Sequence, residues 1–306
     1  MTTPLLPSTP ARTPAEFEAL VQDIRPDLHR YCTRMIGSVV DAEDVVQEAL
    51  AKAYASLPTT SVANMRGWLF RIAHNKAIDH LRRASNQRME HLDEHALFAD
   101  PVPPLDEREL VALALSVFLK LAPKQRSCVI LKDVMGYSLA DISELLDATV
   151  PEIKAALHRG RTRLRELAKS VTVDGPMPRD EPERELLARY IDRFNARDFD
   201  AVRAMLADEV RLDLINRTTR QGRAEVGEYF HRYAELDDWQ LALGAVENRP
   251  AILFYDSREP ASQPAYFILL TWDAGRVALI RDYRYVSYVI RDAAVIRIAA
   301  ISQNTQ

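Results

Sequence analysis

The run GYSLADISELLDATVPEIKAALHRGRTRLR, residues 136 to 165, leaves few ways to fold. Leu139, Ile142, Leu145 and Leu146 recur at helical spacing and make one buried stripe, with Ser138 placed to cap it ahead of Asp141. Asp147-Ala148-Thr149 breaks the pattern. A second helix then opens with Thr149 as cap and Pro151 in its first turn, and Ile153, Ala156, Leu157, Gly160 and Leu164 form its inward face. Lys154, His158, Arg159, Arg161, Arg163 and Arg165 fall mostly outside that face. Helix, tight turn and basic helix together make a helix-turn-helix, in which early residues of the second helix meet base edges and its cations hold phosphates. A plain helical hairpin with a solvated basic face has the same pattern.

Charge sharpens the reading only locally. Net charge over the 306 residues is -4, so the whole molecule is no electrostatic partner for nucleic acid. Within the chain, Arg66, Arg71, Lys76, Arg82, Arg83 and Arg88 face only Asp79, and an acidic block from Glu90 to Glu109 follows directly. Cys32 and Cys128 sit in apolar helical contexts without metal-ligand spacing, which predicts buried thiols and a reducing compartment. No pattern calls for a cofactor or a metal. The N-terminal MTTPLLPSTPARTP has no apolar core of signal length and reads as a disordered lead. With no run long enough to span a bilayer, no membrane is implied and a cytoplasmic place is expected.

Helical periodicity runs from about Ala15 to Arg83, broken at Gly37-Ser38. Asp41 opens DAEDVVQEALAKAYASL, with Val45, Val46, Ala49, Leu50, Ala53 and Leu57 inward and Glu43, Asp44, Gln47 and Glu48 on a polar side. MRGWLFRIAHNKAIDHLRR makes the next helix, with Trp68 and Phe70 beside arginines. Residues 85–108 lose periodicity and carry Pro101, Pro103 and Pro104, as an acidic tether does. Helix resumes at Leu110, and VTVDGPMPRDEP forms a second linker.

Beyond Glu183 the pattern changes. An amphipathic helix and a shorter one around Ala201 to Leu206 precede strand-like runs VRLDLI, WQLALGAVE, AILFYD, AYFILLTW and RVALIRDYRYV, the last two joined by an Asp273-Ala274-Gly275 hairpin turn. Helices followed by a curved antiparallel sheet predict an α+β cone able to hold a ligand.

The blocks DAEDVVQEALAKAYASL, MRGWLFRIAHNKAIDHLRR and LAPKQRSCVILKDVMGYSLADISELLDATVPEIKAALHRGRTRLREL, in that order, resemble the conserved regions of group IV, extracytoplasmic-function sigma factors of the sigma-70 family. The likeness covers roughly residues 15 to 168. It implies two all-α domains: region 2 over 15–84, and region 4 with the helix-turn-helix over 109–170. It further implies that the helix from Asp41 docks on core RNA polymerase through Asp41, Asp44, Gln47 and Glu48. The next helix would meet the −10 element of promoter DNA through Trp68, Arg71, Asn75, Asp79, Arg82 and Arg83. Trp68 also reads as a core residue at its helical spacing. The helix from Pro151 would take the −35 element through Glu152, Lys154, Ala155, His158, Arg159, Arg161 and Arg163, with the later arginines on phosphates.

Residues 183–292, with ERELLARYIDRFNARDFDAVRAMLADEVRLDL and RAEVGEYFHRY, resemble a SnoaL-like cone, followed by a tail over 293–306. In sigma factors with such an extension it is regulatory. A Trp-Leu-Pro-Glu-Pro linker run that marks one subgroup is absent. Related cones include cyclases and isomerases that use an interior acid or base. Asp213, Asp256, His231 and Asp282 are candidate interior groups, with Tyr229, Trp239, Tyr255, Tyr266, Trp272 and Tyr283 as candidate walls of a small-molecule pocket. Two competing functions stand beside a promoter-specificity subunit: a free-standing DNA-binding regulator, and a cone enzyme with the helical half as a targeting module.

Overall fold

A computed structural model describes residues 14–59, 62, 64–85, 115–168, 181–235, 239–247, 249–256, 258, 263–291, 293 and 295–297. Apart from edge residues, the lead, the acidic tether and the second linker lie outside this set, as does the expected helical run 110–114. Two compact units divide between Val173 and Asp174.

The first unit is helical. α1 (Pro14–Ile36), α2 (Val39–Ser56) and α3 (Met65–Ser85) pack on Phe17, Ile24, Leu28, Tyr31, Val46, Leu69 and Phe70. Gly37 ends α1 at φ +90, a backbone conformation in which an L side chain is strained and glycine is not. Ser38 then caps α2, its Oγ accepting from the Asp41 amide at 3.1 Å. The helix therefore starts at Val39, two residues before the position the acidic run suggested, because the cap is the serine. Glu43 also departs from its expected polar side. It is fully buried and takes an ion pair from Arg25.

After α4 (Leu115–Phe118), α5 (Pro123–Val129) widens into a π-helical turn, Ile130–Val134. α6 (Leu139–Leu146) and α7 (Val150–Ala168) form the helix-turn-helix. Ser138 and Asp141 make a reciprocal capping box at 3.1 Å in each direction, and Asp147 turns the chain at φ +51. Gly160 sets how closely α7 approaches α5, since a Cβ would meet Val129 Cγ2 at 2.8 Å. Both helical blocks share one core. Arg126 fastens them, its guanidinium donating to the carbonyls of Met35, Leu119 (2.7 Å) and Leu121 (2.9 Å).

The second unit opens with α8 (Glu181–Asn195) and α9 (Phe199–Ala204), then β1 (Leu206–Leu214) and β2 (Thr218–Gln221). The short helix stops at Ala204, and Leu206, assigned to it from sequence, begins β1 instead. α10 (Arg223–Tyr229) and α11 (His231–Ala234) lead to β3 (Trp239–Val246), β4 (Arg249–Asp256), β5 (Tyr266–Asp273), β6 (Arg276–Asp282), α12 (Tyr288–Arg291) and β7 (Val295–Arg297). The sheet order is β2-β1-β6-β5-β4-β3-β7. β1 runs parallel to β6, so the sheet is mixed where sequence suggested antiparallel throughout; the long helical crossover from β2 to β3 permits it. Ala274 (φ +47) and Gly275 (φ +76) form the expected tight hairpin between Asp273 and Arg276. Leu241, Leu243, Ile252, Phe254, Tyr266, Ile268 and Leu270 alternate onto the face covered by Leu187, Tyr190, Ile191 and Phe194 of α8. β7 extends this sheet beyond the span assigned from sequence, pairing with β3 through residues placed in the tail.

Candidate functional site

The N-terminus of α7 is built by a second capping box. Thr149 donates through its amide (2.8 Å) and hydroxyl (2.9 Å) to Glu152 Oε2, and Lys124 adds an ion pair at 3.3 Å. The Thr149 amide and hydroxyl, then Lys124, hold the Glu152 carboxyl below its usual range. Lys154, Ala155, His158, Arg159 and Thr162 follow at spacings of three and four, so they share one stripe. Lys154 and Thr162 are exposed; Ala155, His158 and Arg159 are half-buried. Arg163 is exposed and pairs with Glu166 at 3.1 Å.

Arg161 corrects the sequence expectation. It is buried, and its guanidinium forks onto Asp133, Nε to Oδ2 at 2.9 Å and Nη2 to Oδ1 at 2.7 Å. The helical wheel assigned it to the basic face, but the π-helical turn carries Asp133 across to meet it. A side chain so engaged is a brace rather than a phosphate clamp.

On α3, Arg71, Asn75, Asp79, Arg82 and Arg83 are exposed along a single stripe. Asp79 sits near Arg82 at 3.9 Å and its carbonyl accepts from Arg83 at 3.3 Å. Phe70, beside the arginines in sequence, is 2% exposed and lies edge-on between Tyr31 and Tyr137. Trp68 is half-buried against the core. On α2, Asp44 and Glu48 are exposed, while Asp41 and Gln47 are half-buried; Glu48 pairs with Lys76 of α3 at 3.0 Å.

The two blocks meet through the elements expected to touch DNA. Arg71 donates to the Glu144 carbonyl at 2.6 Å, Asn64 reaches Glu144 Oε1 at 3.4 Å, and Phe70 packs on Tyr137 at 5.5 Å.

Beneath that stripe His74 Nδ1 and the Tyr31 hydroxyl share a hydrogen bond at 2.7 Å, and burial pushes the imidazole pKa down to about 4. A folded-state value below the unfolded 6.5 means that the unfolded chain binds more protons between the two, so stability rises with pH across this window and is lost as pH falls. His74→Gln should flatten the acid limb of a urea-midpoint profile between about pH 6.5 and 4, removing on the order of 3 kcal/mol of pH dependence. An unchanged slope would show that His74 protonates without cost.

In the second unit a cavity of about 360 Å³ is lined by Leu214, Arg217, Thr218, Arg220, Tyr229, Tyr233, Asp282, Arg284 and Tyr285. Asp282 is fully buried at its floor, accepting from the Tyr229 hydroxyl at 2.7 Å and the Arg284 amide at 2.8 Å. Burial pushes its carboxyl upward. Of the sequence candidates, Tyr229 and Asp282 line the cavity. Tyr266 stands behind, linked to the Tyr233 hydroxyl at 3.1 Å, and Trp239 is a core residue whose indole donates to the Tyr233 carbonyl at 3.3 Å. Asp213 lies elsewhere, held by Arg211 (2.7 Å) and Thr219 (3.1 Å), because its alternation on β1 turns it away. Asp256 is engaged by Arg258; the His231 side chain is outside the described set. Tyr233, Arg217 and Arg284 also line it; they sit on short helices and turns, which carry no periodic sequence signal.

Both expected cysteines are buried and free, and burial pushes Cys128 up to about 12. No described helix is long and apolar enough to cross a membrane.

Comparison with known proteins agrees with this layout. A family model for Sigma-70 region 2 matches residues 20–87, and one for Sigma-70, region 4 matches residues 113–164. The ECF RNA polymerase sigma factor SigG of Mycobacterium tuberculosis is 28% identical, over 86% of this chain and 80% of the relative. SigW of Bacillus subtilis is 34% identical, over 49% of this chain and 87% of the relative. Among solved structures, Mycobacterium tuberculosis SigJ matches at 22% identity and a TM-score of 0.33, over 88% of this chain and 95% of that one. Sigma factors direct transcription initiation with core RNA polymerase and promoter DNA and are not enzymes. With both sigma-70 regions in order, and SigW matched over nearly its whole length, the chain belongs to the extracytoplasmic-function RNA polymerase sigma factors.

Proposed function

We propose a division of labour among the helices. α2 seats on core polymerase, with Asp44 and Glu48 as its outward acceptors and Asp41 and Gln47 at the margin. The α3 stripe of Arg71, Asn75, Asp79, Arg82 and Arg83, with Trp68 at its edge, takes the −10 element. The α7 stripe of Lys154, Ala155, His158 and Arg159 enters the −35 major groove, Glu152 fixes the helix start, and Arg163 holds phosphate. The observation that carries this reading is the sorting of burial on α7: its apolar face and Arg161 are inside, and a stripe of exposed and half-buried residues begins at a capped N-terminus. Because Arg71 is engaged by Glu144, the two blocks part before both grip one duplex.

The C-terminal unit modulates initiation, with its cavity as the place for a small ligand, and the protein works in the cytoplasm. Nothing in the initiation step needs hydrolysis; capture of single strands offsets the cost of unpairing. Run-off transcription with purified core polymerase tests this, comparing the full chain with one ending at Val173. Output should differ severalfold at equal sigma concentration. Equal output would refute modulation, and no initiation from either would refute the helix assignments.

A further inference from the structure

The cavity of the second unit is cationic at its sides and has a single acid at its floor. Arg217 and Arg284 both line it; among the described residues neither guanidinium makes an ion pair, and Arg284 has only the buried Asp282 charge acting on it. Each lies over an aromatic ring instead, Arg217 over Tyr285 at 4.8 Å and Arg284 over Tyr233 at 5.5 Å. Arg220, the third cation, is matched by Glu228 at 3.0 Å. With Arg217 lacking a counter-ion and Arg284 opposed only by the buried Asp282, the sides of the cavity keep an excess of positive charge, and guanidinium forks suit a planar carboxylate. The walls are flat rings of Tyr229, Tyr233 and Tyr285. The floor offers Asp282 and the linked hydroxyls of Tyr229 and Tyr233, 3.0 Å apart, which exchange hydrogen bonds with a hydroxyl or carbonyl group. The volume fits one small molecule.

We propose that this cavity binds a small hydroxylated aromatic or unsaturated carboxylate, its acid group between Arg217 and Arg284 and its polar tail at Asp282 and Tyr229. The inference rests on reading the cavity as a ligand site and adds the ligand's chemical class. The assignment of Arg217 and Arg284 needs no catalysis, only recognition.

Titration calorimetry on the full chain with 4-hydroxybenzoate and its neutral isostere 4-hydroxybenzamide separates charge from shape. The acid should bind saturably and about tenfold or more tighter than the amide, as charge-assisted bonds to two guanidiniums require. Arg217→Gln and Arg284→Gln should each weaken the acid about tenfold, leave the amide unchanged and keep the unliganded melting temperature. Equal binding of acid and amide would overturn the acidic class while leaving a ligand site standing. Failure of both to bind at about 10 mM would overturn the site as well. The acid-against-amide comparison on the unsubstituted chain holds whether or not either variant folds.

Discussion

Arg161→Met should destabilise the helical unit, whose two blocks share one core, by about 3–5 kcal/mol. The pair with Asp133 is buried on both sides, the side chains being 10% and 1% exposed, and methionine fills the alkyl space of arginine without its charge. What remains is a carboxylate in the interior without its cation, and that stranded group carries most of the cost. The double variant Arg161→Met with Asp133→Leu removes both charges and should recover most of the loss, a coupling that equilibrium urea unfolding of the four chains reads directly. Initiation should follow stability, failing at every promoter in the single variant. Wild-type stability with uniformly weaker promoter binding would return Arg161 to the phosphate clamps.

The second large effect is expected at Arg126→Met. One guanidinium satisfies carbonyls at the end of α1 and at both Leu119 and Leu121, and burial lowers its pKa only to about 10, so it stays charged at neutral pH. Methionine leaves those acceptors dry and unmatched, costing on the order of 3 kcal/mol. The loss falls on the seam between the two helical blocks. Binding of the polymerase complex to promoter DNA, followed by stopped-flow fluorescence, should therefore accelerate even as urea stability drops, because on the proposed reading the blocks part before both grip one duplex. A stability loss with slower association would place the seam on the side of activity rather than restraint.

Much of this was legible in the chain because its helices are strongly periodic. Ser138, Thr149 and Gly160 do locally what their sequence positions imply: two cap and one permits close approach. Where structure departs from sequence pattern, the cause is shared. Charge alone puts Arg161 and Glu43 on polar faces, yet each is decided by a partner distant in sequence: Asp133 on an irregular turn and Arg25 on α1; Phe70 likewise packs on Tyr137 across the seam. Periodicity reports which face is apolar; it does not report which charged residue has a buried counter-ion. In the sheet the alternation was visible but not which face is concave, which is why Asp213 and Trp239 were grouped with Asp282. The parallel pairing of β1 with β6 joins segments more than sixty residues apart, beyond any local signal.

On the proposed assignment, the outward stripe of α7 reads promoter DNA while Arg163 only holds it. Run-off transcription over a genomic promoter library, with purified core polymerase and the wild-type, His158→Ala and Arg163→Ala chains, measures this most directly. The wild type should initiate at sites sharing a −35 sequence, His158→Ala should reorder the preferred sites by about tenfold, and Arg163→Ala should lower all of them alike. An identical ranking in all three chains, or no initiation with core polymerase at any site, would contradict it.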